Sequence, residues 1–375
     1  MSALPPISGP LEDEIPVGMG GVERRRRRGR GAQSNRSGRF ETFVSFASDD
    51  GWGTLEALEP FKTEVQAERP ARIITRNASP DIKFDRSINP YRGCEHGCVY
   101  CYARPTHCFL GLSAGLDFES KLFVKQNAAK LLEKELAAEG YRPQTIALGA
   151  NTDIYQPIER QYRVTRSLLE VLERTGHPVV LITKSALIVR DLDILTAMAE
   201  RGIAKAAISV TTLDRKLARA MEPRASTPEK RLEALRLLSE AGVPTAVMVA
   251  PIIPALNDAE IETILKRAKA AGAREAGYVL LRLPHELRGL FREWLRTNYP
   301  DREAHVFSLL RSTRGGKEND TTWGRRMRGS GPYAWQIGRR FEIAAKRLEL
   351  NEKSFKLRTD LFRSPAVSGQ QLRLL

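Results

Sequence analysis

Between residues 87 and 300, short apolar, β-branched runs alternate six times with amphipathic runs of helical period. The strand candidates are 88–92, "TIALGA" 145–150, "PVVLITK" 178–184, "AKAAISVTT" 204–212, "PTAVMVAP" 244–251 and "AGYVLLRL" 276–283. Helix candidates follow at 125–139, 161–175, 189–201, 227–241, 258–271 and 285–297. Units of this kind in series predict parallel strands joined by right-handed crossovers. The strands read as continuous apolar runs, as strands covered on both faces should. Two helices carry end signals. One opens on Ser226 or Thr227 with Pro228 behind it and closes on Gly242; the next opens on Asn257 or Asp258 and closes on Gly272. An open sheet and a barrel satisfy this pattern equally.

All four cysteines of the chain lie in "NPYRGCEHGCVYCYARPTH", residues 89–107, and the Cys108 that follows it. Cys94, Cys98 and Cys101 are spaced C-x3-C-x2-C, with Gly93 and Gly97 to let the backbone wrap. Clustered cysteines in a reducing compartment point to metal or redox chemistry rather than a disulfide framework. Iron–sulfur cubanes take thiolates at their corners, and three thiolates leave one iron open for a substrate or cofactor. A structural zinc site is the competing reading, with His96, His107 or Cys108 as fourth ligand. The spacing is not the usual pair of C-x2-C knuckles, and no second pair lies elsewhere, so spacing favours the open cluster. Three unrelated thiols would not cluster this way.

Net charge is +15, and its placement is informative. Residues 21–40 carry eight Arg against Glu23, and residues 311–375 carry fifteen Lys or Arg against six acids. The chain between is nearly neutral. Basic ends suit a polyanionic partner such as nucleic acid; solvated charge on a tail and a helix is the plainer account. Residues 1–40, rich in Gly and Arg, read as a disordered basic tail, with 41–86 as a lead-in that holds one short strand near "ARIITRN". Residues 301–375 form a basic C-terminal extension whose last helix lies in "WQIGRRFEIAAKRLEL". There Trp323, Tyr333, Trp335 and Phe341 stand among arginines. Such a mixture can stack bases, but packing of the aromatics onto the domain is the expected use. The start has no basic and apolar leader, and no apolar run is long enough to span a bilayer. The expectation is a soluble, cytoplasmic protein with no membrane partner.

The loop "CEHGCVYCYA" resembles the cluster-binding signature of radical S-adenosylmethionine (SAM) enzymes, C-x3-C-x-aromatic-C, with Tyr100 as the aromatic. The chain is most similar to the spore-photoproduct-lyase-like branch. That resemblance spans residues 72–283, through "LGANTDIYQPIE", "LITKS", "AISVTTLD", "MEPRASTPEKRLEAL" and "VAPIIPALND" in order. It implies an α/β fold, a partial (β/α)6 TIM-like barrel over 87–300. It implies a 4Fe-4S cluster on Cys94, Cys98 and Cys101, with SAM on the open iron. One electron then cleaves SAM to methionine and a 5′-deoxyadenosyl radical, which abstracts hydrogen from a substrate. A reducing donor of flavodoxin or ferredoxin type is implied as partner. Tyr100 matches the aromatic beside the adenine. Asn151, Thr152 and Asp153 follow a strand whose end lies near SAM. Lys184 and Ser209 match positions near the SAM carboxylate. Residues 249–254 match a segment packed on the adenine. Glu222 and Arg224 either face the site or form a structural ion pair.

The lyase has a hydrogen-returning cysteine in the segment corresponding to "GANTD"; here Ala150 stands there. Repair by that route is therefore not expected. Tyr100 and Tyr102 are the candidates for relaying hydrogen, and Cys108 reads as an inert core thiol. Three functions follow: radical SAM chemistry on nucleic acid, the same chemistry on a peptide or small molecule, or a zinc-stabilised nucleic-acid-binding protein without turnover.

Overall fold

The computed structural model describes residues 21–22, 24–41 and 60–365. The first half of the expected tail, residues 42–59 of the lead-in and the last ten residues lie outside them.

The chain folds as β1 (Glu64–Ala67), β2 (Ile74–Arg76), β3 (Arg86–Ile88), β4 (Tyr91–Arg92), α1 (Asp117–Ser120), β5 (Lys121–Val124) and α2 (Ala128–Leu136). Then come β6 (Ile146–Leu148), α3 (Glu159–Tyr162), α4 (Val164–Arg174), β7 (Val179–Thr183), α5 (Leu192–Glu200) and β8 (Ala204–Ser209). These are followed by α6 (Arg215–Met221), α7 (Pro228–Glu240), β9 (Thr245–Ile252), α8 (Ile261–Ala270) and β10 (Glu275–Leu280). Helices α9 (Leu287–Asn298), α10 (Glu303–Ser312) and α11 (Gly331–Arg347) complete the order.

The main sheet runs β10-β9-β8-β7-β6-β3-β2. Its six strands from β3 to β10 pair in parallel, and each neighbours the next in sequence. A doubly wound sheet would reverse that order at a switch point. Strict succession with crossovers of one hand instead puts all helices on one face and curls the sheet into a partial barrel. This decides what periodicity left open, since period reports which face is buried, not which strand comes next. β2 pairs antiparallel on the outer edge of β3. Leu148, Leu181, Ile208 and Val247 on neighbouring strands are fully buried. Truncating any such leucine to alanine costs about 2–5 kcal/mol.

Two expected elements differ for local reasons. The strand expected at 88–92 is broken at Pro90, which has no N–H to give a ladder. Beyond it β4 leaves the barrel and pairs with β5 in a second sheet, β1-β5-β4. Asn257 does not cap a helix. Its side chain accepts from Ile253 N (2.6 Å) and donates to Thr211 O (2.7 Å), tethering the segment past β9 to the end of β8. Thr227 does cap α7, accepting from Lys230 N.

The second half of the expected tail is placed. Residues 24–41 lie against the cysteine loop, where Ala32 and Ser34 are fully buried. The reason is small residues: at Gly31 a Cβ would stand 1.9 Å from Gly97 O, so only glycine permits the approach. The C-terminal extension packs on β10, with Phe341 of α11 against Tyr278 at 4.7 Å between ring centroids. Tyr333 is partly buried as well. Trp323 and Trp335 break the packing expectation, being 59% and 70% exposed. No helix among the described residues is long and apolar enough to cross a membrane.

Candidate active site

The cysteine loop follows β4 and turns twice through glycines in the left-handed region, Gly93 (φ 71°) and Gly97 (φ 67°). Backbone bonds pin it at both ends. Cys94 N donates to Phe118 O (2.9 Å) and Val99 N donates to Met221 O (3.0 Å). Gln156 clasps it with both side-chain ends, accepting from Glu95 N (2.9 Å) and donating to Gly93 O (3.1 Å). Under the loop lies Arg104, fully buried. Its Nε donates to Cys98 O at 2.8 Å, and its terminal nitrogens reach Gly97 O, Ala114 O, Gly115 O and the Glu119 carboxylate. All five guanidinium N–H groups thus have acceptors.

Glu119 is buried too, and its remaining lone pairs are filled by the N-terminal strap. Gly31 N and Ala32 N each donate to it at 2.8 Å. Arg30 adds a bond to Glu119 O, and Ser34 Oγ donates to Glu293 at 2.7 Å. A buried carboxylate is tolerable when it is paired and hydrogen-bonded in this way.

Cys94 and Cys98 are buried and Cys101 half-buried, and none forms a disulfide. Burial pushes all three thiols up, and the negative charge each would feel from its neighbours adds to this. Lys184 opposes it at Cys98 and Cys101. Bare thiolates are therefore costly here, and a bound metal group would supply the compensating charge. Among the described residues no three His, Cys, Asp or Glu side chains converge as the ligands of one ion do. Cluster ligands attach to different irons, and three soft thiols on one loop suit the corners of an iron–sulfur cluster.

Tyr100 is buried beside them. Its hydroxyl donates to Glu222 and lies 3.3 Å from Thr211 Oγ1. Glu222 also accepts from Thr211 at 2.6 Å and pairs with Arg231, which in turn donates to Ser209 O at 3.1 Å. The Tyr100 ring is thereby fixed, with Lys184 Nζ 5.8 Å from its centroid. That ammonium makes no ion pair among the described residues, and the Ser209 hydroxyl has no hydrogen-bond partner among them. Both stand at C-terminal strand ends, where barrel sites lie.

The other expected residues have protein partners. Thr152 Oγ1 donates to Tyr91 O (2.8 Å), and Asn151 N donates to Asn89 Oδ1 (3.0 Å). Asp153 accepts from Thr183 Oγ1 (2.6 Å) and Lys184 N (2.7 Å) and faces His96 Nδ1 at 3.4 Å. Burial alone would push the Asp153 carboxyl up. The His96 imidazole and the bonds from Thr183 and Lys184 outweigh it and hold the carboxyl well below the usual range. Asp153 thus ties the cysteine loop to β7. Arg224 pairs with Glu95 of the loop at 2.8 Å and Glu222 with Arg231, so the two do not pair with each other. Tyr102 is 49% exposed, and its hydroxyl donates to Ala150 O. His107 is buried with Nε2 2.9 Å from Lys121 O. Cys108 packs with Ala32, Ala114, Leu116 and Leu290, and burial pushes its thiol up to about 11, as suits an inert core residue.

Sequence reasoning missed Arg104, Glu119, Thr211 and Arg231. Arg104, Thr211 and Arg231 lie inside motifs and Glu119 outside any, but none is marked by its type or spacing, and only the fold brings each to its partner.

Residues 88–268 match the radical SAM superfamily. An uncharacterized protein of Mycobacterium tuberculosis is 36% identical over 232 residues, which is 61% of this chain and 68% of that one. Another, from Methanocaldococcus jannaschii, is 27% identical over 240 residues, 64% of this chain and 83% of its own. Among solved structures, spore photoproduct lyase complexed with dinucleoside spore photoproduct aligns with a TM-score of 0.53 at 17% identity, covering 76% of this chain and 79% of that one. A tyrosine-to-phenylalanine mutant of the same lyase gives 0.54 at 16%, with the same coverage. These last two likenesses are of fold. Taken with the braced three-cysteine loop and the mycobacterial relative, the match means that the chain belongs to the radical SAM superfamily.

Proposed function

We propose that this radical SAM enzyme holds a 4Fe-4S cluster on Cys94, Cys98 and Cys101, binds SAM beside it, and acts on a nucleic acid. The carrying observation is the unpaired Lys184 ammonium facing desolvated thiols, with the unpartnered Ser209 hydroxyl on the next strand. When bound, the cluster supplies the electron that cleaves SAM to methionine and a 5′-deoxyadenosyl radical. The protein's share is position. Lys184 and Ser209 have donors free for a carboxylate, as SAM carries. Tyr100, locked by Glu222, presents a fixed ring for an adenine. Arg104 and Glu119 keep the loop's three thiols in register from below. Thr152 and Asp153 position the surrounding loops through their side chains, Asn151 through its backbone, and Arg224 through its pair with Glu95.

A nucleic-acid substrate is supported by the two basic ends and by Trp323 and Trp335 exposed among arginines. The fold neighbour holding a dinucleoside lesion agrees with it. Because Ala150 replaces the cysteine, the product is not made by thiol hydrogen return at that position. The electron donor is of flavodoxin or ferredoxin type.

The test is anaerobic reconstitution of the wild type and Cys98→Ala, with iron, sulfide and 5′-deoxyadenosine measured after reduction with SAM present. The wild type should bind about four irons with matching sulfide and form 5′-deoxyadenosine. Cys98→Ala should do neither. One zinc and no sulfide in the wild type would sink the reading. RNA and DNA fractions should raise turnover; a rise with peptides alone would move the substrate to that class.

A further inference from the structure

The main sheet is open between its edges, β2–β3 on one side and β10 on the other. Loop 322–328 of the C-terminal extension bridges that gap. On the β10 side Leu280 N donates to Met327 O at 2.9 Å. On the other, Gly324 N (2.6 Å) and Arg326 donate to Asp81, in the loop between β2 and β3, and Arg326 also reaches Ser79. The buried Arg314 holds the seam by four carbonyls, those of Arg325 (3.1 Å), Arg326 (2.9 Å), Leu280 (3.3 Å) and Leu281 (2.8 Å).

Arg282 stands just inside this seam, two residues past β10, at the same strand ends as Lys184 and Ser209. Its guanidinium is half-buried, and its Nε is buried with no partner. The one bond it makes among the described residues is a weak one, from Nη1 to Met327 Sδ at 3.6 Å. No acid pairs with it among the described residues; Asp81, whose charge it feels, has its oxygens taken by Gly324 and Arg326. The charges around Arg282 are Arg326, Arg314 and Asp81, and burial, then Arg326, pushes it down. A buried donor left empty in a folded protein asks for an external acceptor.

The surroundings choose the acceptor. Tyr102 is half-exposed on one side, and Trp323 is exposed on the seam. Arg328, stacked 4.0 Å over Tyr278, has no acidic partner among the described residues. Exposed aromatics between unneutralised arginines suit stacked bases on a phosphate backbone better than a peptide carboxylate.

We propose that Arg282 receives a backbone phosphate of a single-stranded nucleic acid at the barrel mouth, with the 322–328 seam holding the adjoining nucleotides. This rests on the nucleic-acid reading of the same site. It is tested on the reconstituted full-length holoenzyme by fluorescence anisotropy with a labelled single-stranded 12-mer, as DNA and as RNA, across a salt series. Arg282→Gln should weaken binding about tenfold and reduce the log–log salt slope by about 0.7. Arg282→Lys should fall between. Arg236→Gln, which removes an exposed arginine on α7, should bind as the wild type does. The unfolding midpoint of Arg282→Gln should be unchanged or raised.

Unchanged affinity and slope in Arg282→Gln overturn the proposal. So does a midpoint lowered together with affinity, which would make Arg282 structural. Displacement of the probe by an acidic peptide of equal charge as readily as by unlabelled oligonucleotide also overturns it. The chemistry is read separately, as 5′-deoxyadenosine formed by the wild type. Cleavage of SAM with an indifferent Arg282 sinks the phosphate site and leaves the chemistry standing. Arg282-dependent binding without SAM cleavage does the reverse.

Discussion

Arg104 is fully buried and Arg282 half-buried, and they are opposites. Under the cysteine loop, Arg104 gives all five N–H groups to acceptors, one of them the buried Glu119. At the barrel mouth, Arg282 has one sulfur and a buried Nε with nothing to bond. The first is part of the frame, because every atom it could bind is supplied by the chain. The second has no such complement among the described residues. Burial alone does not tell a structural arginine from a receptive one; the count of satisfied donors does.

The contrast breaks first at Glu119. Glu119→Ala leaves Arg104 buried and uncompensated and should cost about 3–5 kcal/mol, read by urea unfolding. A smaller loss would mean that the four carbonyls suffice. Next comes the strap. Gly31→Ala drives a Cβ into Gly97 O at 1.9 Å and should cost about 1–3 kcal/mol, with iron content of the reconstituted protein falling in step. Gly29→Ala meets open space at φ 76°, so it should show only the backbone penalty of about 1 kcal/mol and full iron content. Equal iron loss in both would remove the strap from the cluster site. At the mouth, Arg282→Met should leave the thermal midpoint unchanged or raise it by a few degrees, since it removes an unpaired charge. A fall would put Arg282 with Arg104. The smallest stability effect is expected at Trp323→Ala, within about 0.5 kcal/mol by the same unfolding assay. Its oligonucleotide affinity should still drop by about 1–3 kcal/mol if the ring stacks a base.

The six strand–helix units were readable because burial on both faces leaves continuous apolar runs in the strands and burial of one face leaves a 3.6 period in the helices. The three cysteines were readable because their ligand role fixes their spacing. Strand order was not, because neighbours in a sheet leave no mark on period. Asn257 had the residue type and place of a cap, but its amide tethers Ile253 and Thr211 across the site. Gly31 was hidden in an arginine–glycine run whose composition says tail, while its lack of a Cβ is what lets it seat against Gly97. Lys184 and Ser209 came from family likeness; alone, each would read as an ordinary strand residue. Arg282 could not be found at all, because an unsatisfied donor is defined by the atoms that fail to surround it.

The strap sets an order of events in maturation. Gly31 and Ala32 reach Glu119 across 88 and 87 residues, and Ser34 reaches Glu293 across 259. Contacts so distant in sequence carry a large closure entropy and form after the local strand–helix units. The strap is thus among the last segments to dock, and its docking is what covers the underside of the cysteine loop.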